Sequence, residues 1–419
     1  MLDHWRFNFY SSVPFWLALV AVVVLVRLFG AKPRARGWLL LACSSALLLA
    51  IPRFQLRGLM LVWGLAAVSF GVSWLLLRGA PEAHERRRRI VAASGILAVV
   101  GFLAVFKYHF IQELLWVRGE DPAARAAGYV FLAGVSYFSF KAIHGIVESY
   151  KRSLTGLDAL TWLNYLTFFP AFVSGPINRY NHFAAQLGAE KRGPLAPDMK
   201  AGAERIIHGL FKKFVLVQLV APYTIVAKPL AGQSGGEVVL GLYAYALFSY
   251  FDFSGYSDLA IGGARLMGLE LPENFNWPFL QKNIRELWTN WHMSLTSWLV
   301  DYIYWPIVRK LRNVDYLRPR PVLLSVIGMI VTFLVCGAWH GESLNFILWG
   351  AYHGAGISIL MVYQRQKKKI RVKSVQRYFV SRTSRVVGAV GAFHYFTFGM
   401  ALFALDMEKL RVLLSNFVR

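Results

Sequence analysis

Uncharged apolar runs follow one another along this chain, at about 13–26, 37–52, 58–77, 90–106, 126–140, 158–178, 214–227, 238–251, 322–339, 344–363 and 386–405 of its 419 residues. A helix standing upright in a bilayer needs about 20 apolar residues to cross the hydrocarbon core, because each residue advances it by only ~1.5 Å. Several of the eleven runs are shorter, which implies tilted, re-entrant or protein-buried segments among them. With 56% hydrophobic and 16% charged residues and a mean hydropathy of +0.44, the chain reads as an all-α, polytopic membrane protein. No repeat, low-complexity linker or long polar stretch interrupts it, so residues 1–419 read as a single membrane domain.

A net charge of +24 raises nucleic acid as a partner, but the placement of the charge argues for the lipid bilayer instead. Lys32, Arg34 and Arg36 follow the first run, Arg86, Arg87, Arg88 and Arg89 the third, and Lys151 and Arg152 the fifth. Basic residues thus mark alternate loops as cytoplasmic and place the N-terminus and the loops near 53 and 108–125 outside, although Arg53, Arg57 and Arg125 weaken the contrast. The first run is preceded by Asp3, His4 and Arg6 and lacks a small-residue cleavage site, so it reads as a retained span. Cys43 and Cys336 lie inside apolar runs, as buried thiols would. No metal-ligand cluster is legible.

Two histidines stand out against this background. In GAWHGESLNFILWGAYHG, residues 337–354, a short polar turn joins two apolar runs and begins at His340. Arg309, Lys310, Arg312, Arg318 and Arg320 precede the first run, and Arg365, Lys367, Lys368, Lys369, Arg371 and Lys373 follow the second. Both outer flanks are therefore cytoplasmic, and His340 faces outward or lies within the membrane. A neutral imidazole in an apolar setting can accept a proton as a general base, but it serves equally well as a hydrogen-bonding partner of a neighbouring helix. His292 lies in RELWTNWHMSLTSWLVDYIYWP, where helical spacing puts Trp288, His292, Thr296 and Leu299 on one face of an interfacial or buried helix. Periodicity alone favours an aromatic belt with an incidental histidine there.

FFPAFVSGPINRY, GLFKKFVL, YFDFSGYSDLAIGGARLMGLELPENFNWPF, LWTNWHMSLTSWLVDYIYWPI and GAWHGESLNFILWGAYHG follow one another between about 130 and 360. In this order they resemble the bacterial membrane-bound O-acyltransferases that modify cell-envelope polymers, among them the alginate O-acetyltransferases and the teichoic acid D-alanyltransferases. The resemblance implies a ring of tilted helices around a thin centre with an outward funnel. It makes His340, between Trp339 and Gly341, the catalytic histidine, and His292, after Trp291, the second histidine, which polarises, positions or relays a proton. It also implies an acyl thioester donor on coenzyme A or a carrier-protein phosphopantetheine arm, with no permanently bound cofactor. The acceptor would be an envelope polymer, and the partners an acyl carrier protein and a periplasmic or extracytoplasmic acyltransferase. The location it implies is the bacterial cytoplasmic (inner) membrane.

Thr289, Asn290 and Val300 stand where acetylating relatives often carry arginines, whereas FDFSGYSD and LPENFNWPF are shared broadly with them. Acetyl is favoured over D-alanyl as the commoner envelope modification. Asp252 and Asp258 order a broken helix or line a polar path, with ordering favoured. Gly255 lets the backbone turn or approach another helix, and Pro170, Gly175 and Pro176 interrupt the segment near 158–178. Lys212 and Lys213 read as topological anchors in preference to a phosphate site. Glu342 and Asn345 tune His340 or cap the helix that follows. A multi-pass transporter or flippase is the other function class, since acidic and histidine side chains in spans also build proton relays.

Overall fold

The computed structural model describes residues 13–51, 55–78, 85–115, 132–190 and 195–418. The flanking charges Asp3, His4, Arg6, Arg53 and Arg125 and most of the 108–125 loop lie outside the described residues. The described chain is helical, with one isolated backbone bridge between Phe275 and Trp291. It divides into two compact units, Met1–Ile207 with Ser257–Pro272, and His208–Tyr256 with Glu273–Arg419.

The first unit carries α1 (Val13–Phe29), α2 (Pro33–Leu49), α3 (Gln55–Arg78), α4 (Glu85–Lys107), α5 (Val135–Tyr150) and α6 (Ala159–Thr167). Asp158 starts α6 by accepting the N–H and hydroxyl of Thr161 at 2.8 and 2.9 Å. Pro170 ends the run, so 158–178 is a nine-residue helix followed by a tight turn at Phe169–Ala171. That is too short to cross a membrane, in keeping with a re-entrant segment. The carbonyls left over at the end of α6 meet a buried amine, Lys141, whose Nζ donates to Tyr165 and Leu166 at 3.0 and 2.8 Å. Arg36 departs from its reading as a loop charge. It is 1% exposed, and its guanidinium caps the helix Tyr180–Gly188 by donating to the carbonyls of Gln186, Leu187 and Ala189.

Two long helices run through the chain positions where the units divide. α7 (Leu195–Phe211) continues through a π-helical turn at Lys212–Leu216 to residue 223, so the run at 214–227 is the second half of a helix whose first half is amphipathic. α8 (Gly235–Leu266) is unbroken through Asp252, Gly255 and Asp258, which corrects the expected break. Gly255 serves close approach instead: a side chain there would meet the Gly209 carbonyl at 3.0 Å.

The second unit continues with α9 (Ile284–Asn290), α10 (Met293–Leu299), α11 (Pro321–His340), α12 (Leu344–Lys367), α13 (Lys373–Val380) and α14 (Arg382–Ala404). α11 and α12 form a hairpin held by absent side chains. A Cβ on Gly337 would collide with the Phe346 carbonyl, and one on Gly350 with that of Phe333, so the two backbones touch. Among the described residues seven helices are long and apolar enough to cross a membrane: α3, α4, the α7 helix extended to residue 223, α8, α11, α12 and α14. Within the described residues, the apolar runs thus resolve into seven membrane-length helices and shorter pieces such as α1 and α6.

Candidate active site

His292 does not lie within a helix. Its backbone adopts φ 45° and ψ 52°, the left-handed region, between two seven-residue helices, α9 and α10. A non-glycine residue there costs ~1–2 kcal/mol and persists only where its surroundings enforce it. The enforcing element is LPENFNWPF. The Asn274 carbonyl accepts the Met293 N–H at 2.9 Å, the Asn276 N–H donates to the Asn290 carbonyl at 3.0 Å, and Phe275 bridges Trp291. The Asn274 side chain then accepts the N–H and hydroxyl of Ser294 at 3.3 and 2.6 Å. The single helical face expected for Trp288, His292, Thr296 and Leu299 is therefore replaced by a kink. Thr296 reaches back across it, its hydroxyl donating to the Trp288 and Trp291 carbonyls at 3.1 and 3.2 Å.

The His292 ring is 5% exposed and meets Phe253 of α8 edge-on, with centroids 4.6 Å apart at 83°. Burial pushes this imidazole, which lies between the membrane-length helices, below its ordinary pKa, so the ring is neutral. Phe253 also meets Phe275 at 5.2 Å, and Phe275 meets Trp291 at 5.2 Å and 89°. The motifs FDFSGYSD, LPENFNWPF and WxxWH therefore converge on one aromatic cluster.

His340 is the last residue of α11 and is half-buried. Trp349 and Phe403 stand edge-on to its ring at 5.1 and 4.9 Å, with Phe346 stacked at 6.3 Å and Trp339 at 4.4 Å. Gly341 follows in an extended conformation, and any side chain on it would strike the Phe346 ring. Trp349 links the two histidine motifs. Its far side meets Trp288 of α9 at 5.5 Å and 80°, and Trp288 and Trp291 both pack on Phe396 of α14. The second unit thus holds both histidines in one aromatic wall with different accessibility, one sealed and one open to approach.

The acidic candidates separate. Asp252 forms a buried ion pair with Lys213, both side chains 9% exposed, so Lys213 is an internal counter-ion and not a surface anchor. Asp258 belongs to the first unit, where Arg205 approaches it to 2.6 Å. Each carboxylate is thus held by a cation, within an unbroken helix. Asn345 neither caps α12 nor turns toward solvent. Ser343 holds the cap position, and the Asn345 amide donates to the Leu402 carbonyl of α14 at 3.0 Å. Glu342 is exposed on the turn.

Sequence reading passed over Asn274 and His353. Asn274 carried a signal, an amide in a motif rich in turn residues, but its partner lies 20 residues away. His353 is fully buried one turn beyond Trp349, edge-on to Trp288 and Trp349 at 4.9 and 5.0 Å. Among the described residues neither of its ring nitrogens has a hydrogen-bond partner.

The model of MBOAT, the membrane-bound O-acyltransferase family, matches residues 96–405, well over half of the chain. The chain is 31% identical to a teichoic acid D-alanyltransferase of Bacillus subtilis over 402 residues, 94% of this chain and 97% of that protein. It is 30% identical to a probable alginate O-acetylase, AlgI, of Azotobacter vinelandii over 80% of this chain and 68% of that protein. A teichoic acid D-alanyltransferase of Streptococcus thermophilus is 33% identical over 62% of this chain and 64% of that protein.

Proposed function

From the premise that the chain belongs to the membrane-bound O-acyltransferase family, we propose that it passes an acyl group from a cytoplasmic thioester through the membrane to a hydroxyl of an envelope polymer, with His340 as general base. It is a multi-pass membrane O-acyltransferase, and its relatives' names support an envelope polymer as acceptor. The observation that carries the mechanism is the unequal setting of the two histidines. His340 ends a membrane helix half-exposed in an aromatic cup, while His292 is buried and fixed in a strained turn.

In the reaction, an imidazole nitrogen of His340 takes the proton of the acceptor hydroxyl as its oxygen attacks the thioester carbonyl carbon. The C–O bond forms, the C–S bond breaks, and the departing thiolate takes the proton back from the imidazolium. Such a group is worth ~10²- to 10⁴-fold in rate. His292 orients the reacting groups, since a neutral, sealed ring at a kink changes position little during turnover.

D-alanyl leads as the acyl group, supported by 31% identity to the B. subtilis D-alanyltransferase over 94% of this chain, against 30% identity to the A. vinelandii O-acetylase over 80% of it. Thr289, Asn290 and Val300 in place of arginines point the same way. Acetyl is the second reading, supported by similarity to the O-acetylase over 80% of the chain. The donor is a thioester of a carrier protein or of coenzyme A, the location is the inner membrane, and an extracytoplasmic acyltransferase is a candidate relay partner. Sealed vesicles of known orientation test this reading. Labelled D-alanyl-carrier or acetyl-coenzyme A should support transfer only from the cytoplasmic face, and equal use from both faces would overturn transfer through the membrane.

A further inference from the structure

The second unit carries a groove of about 730 Å³ at the start of α14, away from His340 and on the face where α13 folds back. Its rim is basic. Arg382 and Arg385 have no carboxylate at ion-pair distance among the described residues, while Lys282 across the groove is matched by Glu286 at 3.2 Å. Its wall is apolar and runs down α14 through Val386, Val390 and Phe393.

The dimensions fit one leaflet. α14 is apolar and long enough to cross a membrane, so its first turn lies at the water boundary. From Arg382 to Phe393 it descends about 16 Å at ~1.5 Å per residue, roughly half of a ~30 Å hydrocarbon core. The volume lies within the ~300–1,000 Å³ usual for a small-molecule site. Six basic residues between 365 and 373, Arg365, Lys367, Lys368, Lys369, Arg371 and Lys373, assign this end of α14 to the cytoplasmic leaflet. The eight-residue α13, which begins at the last of them and leads into α14, has the composition of an interfacial helix, with Lys373 and Arg377 beside Tyr378, Phe379 and Val380.

We infer that this groove binds an anionic phospholipid of the cytoplasmic leaflet, its phosphate between Arg382 and Arg385 and an acyl chain along Val386, Val390 and Phe393. A water-soluble anion would engage the rim and leave the apolar wall unused. The wall also reaches the chemistry, because Phe393 packs on Phe279 at 4.7 Å and Phe279 on Trp291, the neighbour of His292, at 5.8 Å. The bound lipid therefore buttresses the aromatic cluster from its membrane side. The binding claim does not depend on the acyl-transfer reading.

Native mass spectrometry of the full chain released from mixed phosphatidylglycerol and phosphatidylcholine nanodiscs tests it. Each basic residue near an anionic surface contributes about fivefold in affinity, so retained phosphatidylglycerol should exceed phosphatidylcholine by at least about fivefold. The preference should vanish in Arg382→Gln/Arg385→Gln. In Val390→Trp, which fills the wall and keeps both arginines, retained phosphatidylglycerol should fall. Equal retention by the parent protein, or a preference unchanged in the arginine double variant, would overturn the proposal.

Discussion

The Asn274 side-chain oxygen accepts both the N–H and the hydroxyl of Ser294, at 3.3 and 2.6 Å, and so locks the segment ahead of α9 onto the first turn after His292. Both residues are buried, which leaves the two donors no water to turn to.

Replacing Asn274 with alanine should therefore act on His292 without touching it. Two buried donors lose their acceptor, at about 1–3 kcal/mol. The imidazole loses its fixed position, which at an active site costs up to ~10²-fold in rate. Thermal unfolding in detergent and acyl-transfer rates measured together check this. A parental rate in Asn274→Ala would show that the clamp does not set His292.

The left-handed backbone at His292 gives a second expectation. His292→Gly and His292→Ala both remove the ring, but glycine alone adopts this conformation without strain. The glycine variant should be the more stable by about 1 kcal/mol, read as a higher unfolding midpoint. If alanine is equal or better, the backbone does not hold this turn.

Lys213 and Asp252 form a third test. Lys213→Met leaves a buried carboxylate unpaired, a loss of about 3–5 kcal/mol, whereas Lys213→Met/Asp252→Leu removes both charges. The double variant should fold to a higher yield and melt higher than the single one. An additive loss would show that the two side chains do not depend on each other.

His353 offers a fourth. Its ring fills a cage of Trp288, Trp349 and Tyr352, and its nitrogens have no partner among the described residues. His353→Phe should leave the unfolding midpoint unchanged or raise it, because no hydrogen bond is lost. His353→Ala should cost about 2–5 kcal/mol through the cavity it leaves. A large loss with phenylalanine would mean that the nitrogens are bonded in the folded protein.

Much of this was legible in the sequence, for identifiable reasons. Apolar runs such as 322–339 and 344–363 became helices almost residue for residue, because hydropathy and length suffice where lipid is the solvent. His340 was legible as a histidine in an apolar setting, and three members of its aromatic cup, Trp339, Phe346 and Trp349, lie within ten residues of it. What escaped the sequence depends on distant partners. The kink at His292 is imposed by Asn274, and helical periodicity does not register a backbone bridge from another segment. Lys213 and Arg36 looked like topological charges until burial and their partners, Asp252 and the end of the helix Tyr180–Gly188, gave them interior roles. The unbroken α8 shows that aspartates within a span need not break a helix when cations meet them.

Transfer of labelled acyl from a thioester to a hydroxyl acceptor by purified His340→Ala, compared with the parent at equal folded concentration, tests His340 as the general base. Loss of one general base predicts a rate lower by ~10²- to 10⁴-fold with the unfolding midpoint little changed, because the half-buried ring contributes modestly to packing. Transfer at the parental rate by a well-folded His340→Ala protein would contradict the assignment of His340 and the mechanism built on it.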